Sequence, residues 1–268
     1  GTNLPNGVIV HYFLKNYDAK KDTVELQFQS NDGAVIKTYS TKDKKNKLEV
    51  KAGGNEFVWN TRYDGAEKLD GMIFWSASFS GAKAVPGSYK VRLVVNGKEH
   101  MQDFTILPDP RSESSVADMQ KQFDFVNDVN QTVDKAHKAI KNIREIRSKL
   151  KDFAKQNKTD STANQLVNQA KTIQDDLLEV EKTLYQTQNR SNQDPLNFPI
   201  RLTNKLGHLN RLLTIDDFPP TNQDIAVKEE LTAAVKTAMK QYQTIIDSDV
   251  ASFNELFKKE KRNYLGTE

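Results

Sequence analysis

Three carboxylate pairs stand close together in the sequence: Asp175-Asp176, Asp216-Asp217, and Asp247 with Asp249. Glycoside hydrolysis needs two carboxyl groups facing each other across a cleft, about 5–10 Å apart. Neighbouring residues on a helix point in different directions, so Asp175-Asp176 does not form such a pair. Asp216 and Asp217 precede Phe218-Pro219-Pro220 and read as loop residues ahead of a helix. The four histidines, His11, His100, His137 and His208, are never within helical ligand spacing of one another, and no H-E-x-x-H occurs. His11 and His100 fall in strand patterns. His137 lies beside an apolar helical stripe and His208 in a leucine-rich helix, so all four read as framework. No G-x-S-x-G, P-loop or G-x-G-x-x-G is present. The absence of cysteine excludes disulfides, thiolate metal sites and cysteine nucleophiles. The sequence therefore predicts no catalytic, cofactor-binding or metal-ligating residue, and a chain that is not an enzyme.

Binding is harder to dismiss than catalysis. The exposed-aromatic candidates for a glycan or protein surface are Tyr12, Tyr63 and Phe79, which would have to gather on one sheet face or loop end. Lys42, Lys44, Lys45 and Lys47 surround Asp43 in what reads as a solvated turn, with a polyanion contact as the alternative. Asp64-Gly65 and Asp70-Gly71 are turn chemistry. Only Glu67 adds a carboxylate between them, which is too few oxygen ligands for a calcium loop. Trp59 alternates with Phe57, and Trp75 with Ile73, as core rings of a sheet do.

The first part of the chain has period two. Gly7–Leu14, Thr23–Gln29, Ala34–Thr41, Leu48–Ala52, Glu56–Asn60, Met72–Ser80, Ser88–Val95 and Glu99–Ile106 are strand candidates rich in β-branched and aromatic residues. Glycine turn signals separate them, and Asn96-Gly97 is the clearest hairpin. Pro108, Pro110 and the serine-rich RSESS end that pattern, and a helical period follows. Leu166, Ala170, Ile173, Leu177, Val180 and Leu184 step by fours and threes. Val126–Phe153, Leu202–Leu213 and Leu231–Phe253 carry further stripes. Ser114/Ser115, Thr162 with Gln165, and Thr221 with Asp224 mark helix starts. Lys135, Lys138, Lys141, Arg144 and Lys151, mixed with acids, read as an exposed face of the first helix. The expected fold is an antiparallel β-sandwich over residues 1–108 and an antiparallel four-helix bundle over residues 109–268.

Charge points away from nucleic acid. The net charge is +3. Up to Pro108 there are 15 Lys/Arg against 12 Asp/Glu, and from Asp109 onward 24 against 24, so neither part is a basic domain. No stretch approaches the roughly 20 apolar residues that span a bilayer. Gly1 in place of an initiator methionine suggests a piece of a longer protein.

Two stretches resemble known families. Gly54, Asn55, Phe57, Trp59, Asp64, Gly65, Gly71, Pro86, Gly87 and Tyr89 follow in order the pattern of the Ig-like domain of flagellar-hook-capping-protein type, with Asn60 where that pattern usually has Asp. Leu202, Lys205, Leu206, Leu209, Pro220, Thr221 and Gln223 are similar to the helical tail of large exported bacterial proteins. Those begin with a sortilin-like, Asp-box β-propeller and are often called glycosyl-hydrolase-like. The resemblance implies an accessory module, exported, whose partner is an N-terminal propeller. No Ser-x-Asp-x-Gly-x-Thr-Trp box occurs in this chain, so the propeller itself is absent from it. A glycan- or protein-binding module is the alternative, and a share in a glycoside hydrolase site the remotest reading.

Overall fold

The computed structural model describes residues 1 and 5–260, the side chain of Ser161 excepted. Six strands form: β1 (Val8–Leu14), β2 (Val24–Ser30), β3 (Val35–Ser40), β4 (Gly53–Trp59), β5 (Gly87–Val95) and β6 (Lys98–Ile106). They make two antiparallel sheets, β1-β4 and β3-β2-β5-β6. Val8 faces Trp59 and Leu14 faces Gly53 in the first sheet. In the second, Val95 pairs with Lys98 across Asn96-Gly97. Both turn residues have positive φ, at 50° and 82°, which is what a two-residue primed turn demands.

The side chains of the two sheets meet in one core of Leu14, Val24, Leu26, Phe28, Ile36, Leu48, Trp59, Ala84 and Tyr89. Phe28 stacks on Trp59 at 4.4 Å between centroids, and Phe104 meets Trp59 edge-on at 6.4 Å. The Trp59 indole N–H donates to the Arg62 carbonyl at 3.3 Å. The Tyr89 hydroxyl donates to the Val85 carbonyl at 2.6 Å, and burial pushes its pKa up to about 12.

Two expected strands do not form. Leu48–Ala52 sends Leu48 into the core, but its backbone bonds outside any ladder, the Leu48 amide to the Ser40 carbonyl at 2.9 Å beside the isolated Ser40–Lys47 bridge and the Lys51 amide to the Asn55 side chain at 2.9 Å. Alternation buries side chains there without a partner strand for the amides. Met72–Ser80 is irregular, its backbone groups bonding to side chains and a carbonyl of the helical part of the chain rather than to a strand. Gly53-Gly54, one of the glycine turn signals between the expected strands, opens β4 instead.

The helices are α1 (Val116–Gln156), α2 (Asn164–Leu184), α3 (Leu202–Leu213), α4 (Asn222–Thr244) and α5 (Ala251–Lys259). A π-helical turn, Ile245–Val250, joins the last two, so among the described residues the α-helices make four continuous segments. Ser115 and Asp118 cap α1 reciprocally, at 3.1 and 3.3 Å. Thr221 and Asp224 form the same box on α4. Thr162 does not cap α2. Its hydroxyl donates to Asp160 at 2.6 Å, and the helix begins after a short 3₁₀ turn with no side-chain cap.

The α2 stripe is buried along its whole length. On α4 the buried row is Leu231, Val235, Ala238 and Tyr242. Eight α-helical residues would carry Phe253 about 80° away from Ile245. The π turn, with i→i+5 bonds, rotates less per residue and returns Phe253 to the buried face. There it meets Phe153 of α1 at 5.5 Å. Among the described residues, no helix is long and apolar enough to cross a membrane.

The chain divides into two compact units. The first holds both sheets and comprises Gly1–Gly65, Ser80–Asn127 and Leu213–Pro219. The second comprises Ala66–Phe79, Asp128–Leu212 and Pro220–Glu268.

Candidate functional site

In the first unit a cleft of about 990 Å³ is lined by Arg62, Lys83, Asp109, Arg111, Asp216 and Asp217, among others. Its three acids are all engaged. Lys83 Nζ contacts both Asp217 oxygens at 3.0 Å. Arg111 grips Asp109 through Nε at 3.0 Å and Nη2 at 2.7 Å, and side-chain and backbone donors of Arg111 hold the Asp109 pKa down at about 2. The Asp216 carboxylate accepts from the Asp217 amide at 2.8 Å. Gln122, on α1, fixes the 213–219 segment by donating from Nε2 to the carbonyls of Leu213, Asp216 and Phe218 at 2.7, 2.6 and 2.9 Å. This is a depression of paired charges. It does not hold two free carboxyls opposed across a gap, which is the arrangement that glycoside hydrolysis uses.

In the second unit the segment 66–79 lies as a strap held by side chains. Asn204 makes both backbone bonds of Trp75, accepting from its amide at 2.7 Å and donating to its carbonyl at 2.8 Å. The Ile73 amide donates to the Tyr185 hydroxyl at 2.9 Å. His208 Nδ1 bonds the Ser76 carbonyl at 2.9 Å, and Arg211 donates to the Ser76 hydroxyl. The Ser78 amide donates to the Gly207 carbonyl at 2.8 Å. A buried backbone must find partners, and this one finds them outside any sheet. Ser76 at φ 51° breaks any extended run. Trp75 consequently points out, 39 % exposed, and is not the core ring expected from its alternation with Ile73.

His137 anchors the start of the strap and is completely buried. Its Nδ1–H donates to the Glu67 carbonyl, while Nε2 has no hydrogen-bond partner among the described residues. Phe74 and Phe79 flank the ring at 5.6 and 5.5 Å. Burial pushes the imidazole pKa down, with Arg144 adding to the effect. The Glu67 bond and the Asp134 carboxylate oppose it. Protonation must therefore charge a group that the fold holds neutral. The unfolded chain binds this proton more readily, so stability is fully present above about pH 6.5 and falls as pH drops toward the lower folded value. Thermal melts between neutral and mildly acidic pH are expected to show this fall. His137→Gln, which keeps a donor for Glu67 but does not titrate, is expected to flatten it. An equally steep fall in that variant would assign the effect to other groups.

Tyr12 and Tyr63 pack against the sheet core, Tyr63 also edge-on to Phe123 at 4.8 Å, and burial raises the pKa of both hydroxyls. Phe79 lies against Phe74 at 4.6 Å and against His137. No ring contact joins any two of the three among the described residues. Asp64 pairs with Lys37 at 2.8 Å. Asp43 accepts from the amides of Lys45 and Asn46 at 2.7 and 3.2 Å, which shapes the lysine loop as a turn. Among the described residues, no group of three or more His, Asp or Glu is placed to hold a metal ion.

Arg144 departs from the exposed face expected of its helix. With Arg147 it grips Glu181, a residue whose position four after Leu177 already put it in the apolar row of α2. That misplaced carboxylate was the readable signal for the pair.

No family model matches the chain, and no curated protein matches it. Among solved structures, an extracellular fragment of EsaA from Streptococcus gallolyticus is similar at 12 % identity, over 95 % of this chain and 53 % of that one, with a TM-score of 0.14. The chain thus spans about half the length of that structure, and a likeness at this score carries no argument.

Proposed function

We propose that the chain is a non-catalytic accessory module, an Ig-like sandwich with an antiparallel four-helix bundle, that supports an N-terminal β-propeller in a larger exported bacterial protein. One observation carries the non-catalytic reading: in the 990 Å³ cleft of the first unit every lining acid is already held by a lysine, an arginine or a backbone amide. Catalytic carboxyls need to face substrate, whereas Asp217 and Asp109 face a lysine and an arginine and Asp216 accepts from a backbone amide. The Ig-like reading is supported by the stacked core tryptophan and by Tyr89 near the start of β5. Its hydroxyl reaches back four residues, as the tyrosine corner of such sandwiches does. The propeller and the exported setting rest on the sequence resemblance alone.

The test is gel filtration of the chain with the propeller of its parent protein supplied in trans, beside assays of the chain alone on chromogenic glycosides. Co-elution without turnover is the expected result. Separate elution overturns the supporting role, and turnover by the chain alone overturns the non-catalytic one.

A further inference from the structure

A different cleft, about 510 Å³ and wholly within the second unit, is lined by Asp70, Arg144, Arg147, Glu181, Tyr185 and Arg190, among others. Its size falls within the range that small-ligand sites occupy. Glu181 is 4 % exposed in its side chain and lies between two guanidinium groups. Arg144 donates to it through Nε at 2.7 Å, and Arg147 through Nη1 at 3.1 Å. Arg147 Nε is also fixed, on the Gln174 carbonyl at 3.2 Å, and Arg144 lies over the Tyr185 ring at 5.5 Å.

One buried carboxylate needs one countercharge, yet two are supplied. Arg190 adds a third cation. Its Nη1 is held by the carbonyls of Thr187 and Asn189 at 3.0 and 3.1 Å, which orient the group; the Asp194 carboxylate, outside the cleft lining, also feels its charge. Asp70 offsets one of the three, so the lining charges leave an excess of one positive charge. Among the described residues, both Nη groups of Arg144 and Nη2 of Arg147 make no protein hydrogen bond. Guanidinium groups that are already oriented, with spare N–H donors, match the paired oxygens of a carboxylate or phosphate.

We propose that this cleft binds a small oxyanion, carboxylate or phosphate, through Arg144, Arg147 and Arg190. The binding goes beyond the accessory role and does not depend on it. The experiment is isothermal titration of the intact chain with inorganic phosphate and, separately, glucuronate at matched ionic strength, with chloride and glucose as controls. Saturable binding of at least one oxyanion is expected, with neither control binding. Binding of phosphate alone assigns a phosphoryl ligand, and binding of glucuronate alone a sugar acid. Arg190→Gln, which leaves the buried Glu181 cluster intact, is expected to weaken binding about tenfold. Asp70→Asn is expected to strengthen it about threefold by removing an opposing charge, a direction that damage to the fold does not produce. Absence of saturable heat with both anions overturns the proposal, as does an unchanged affinity in either variant.

Discussion

Trp59→Ala is expected to cost the sheet-bearing unit about 3–5 kcal/mol, against a control, Trp75→Ala, that costs about 1 kcal/mol or less. The two tryptophans read alike in the sequence, each alternating with an apolar neighbour, and they differ in burial and in ring contacts. Trp59 is fully buried, stacked on Phe28 at 4.4 Å, and flanked edge-on by Tyr89 and Phe104 at 6.3 and 6.4 Å. Truncation leaves a ring-sized void among stiff aromatic neighbours that collapse poorly, and it removes the donor on the Arg62 carbonyl. Trp75 holds the strap through its backbone, which Asn204 grips whatever the side chain is. Denaturant unfolding followed by far-UV circular dichroism measures both. Two compact units need not unfold together, so the comparison rests on the midpoint of the transition that Trp59→Ala shifts. Equal losses in the two variants would contradict this account of the core.

The difference between the tryptophans shows what the sequence could and could not convey. Alternation pointed to each of the six strands that formed, although β4 starts at Gly53 rather than Glu56 and β6 is exposed from Lys98 to Asp103; all six find partners for their amides. It also proposed Leu48–Ala52 and Met72–Ser80, where side chains are buried but the hydrogen bonds go elsewhere. Periodicity reports side-chain burial and is silent on backbone pairing. The helical stripes were legible for the same reason, and the capping boxes at Ser115 and Thr221 because their chemistry is local. The strap was not legible. Its anchors, His137 on α1, Tyr185 after α2, and Asn204 with His208 on α3, lie more than sixty residues from the strap positions they hold, and no spacing rule links those helices to the strap. The arginine cleft was legible in half. Glu181 sits at an apolar phase of α2, which signals a buried carboxylate, but nothing in the sequence says which arginines answer it.

Gly81 is the residue whose importance the sequence hides most completely, since Ser-Gly-Ala in a loop signals nothing. A Cβ at Gly81 would lie 1.8 Å from the Tyr63 carbonyl oxygen and 2.4 Å from its carbon. Backbone obstructs it there, and a backbone cannot swing aside as the end of a side chain can. The crossing is stitched on both sides of this point. The Tyr63 amide donates to Ala82 at 3.0 Å, the Ala84 amide to Thr61 at 2.6 Å, and Arg62 Nη1 to the Gly81 carbonyl itself at 3.0 Å. Gly81→Ala must part the two segments and lengthen these bonds together, so the expected loss is about 3 kcal/mol or more. Gly54→Ala in β4 is the matched control, because its added Cβ meets nothing within 4 Å. Restricting the unfolded chain at that position is expected to leave stability unchanged or raise it by up to about 1 kcal/mol. Thermal and denaturant melts of the two variants should therefore move in opposite directions, or one should move while the other stays. A Gly81→Ala protein as stable as its parent would show that the 61–63 and 82–84 segments do not cross as closely as described.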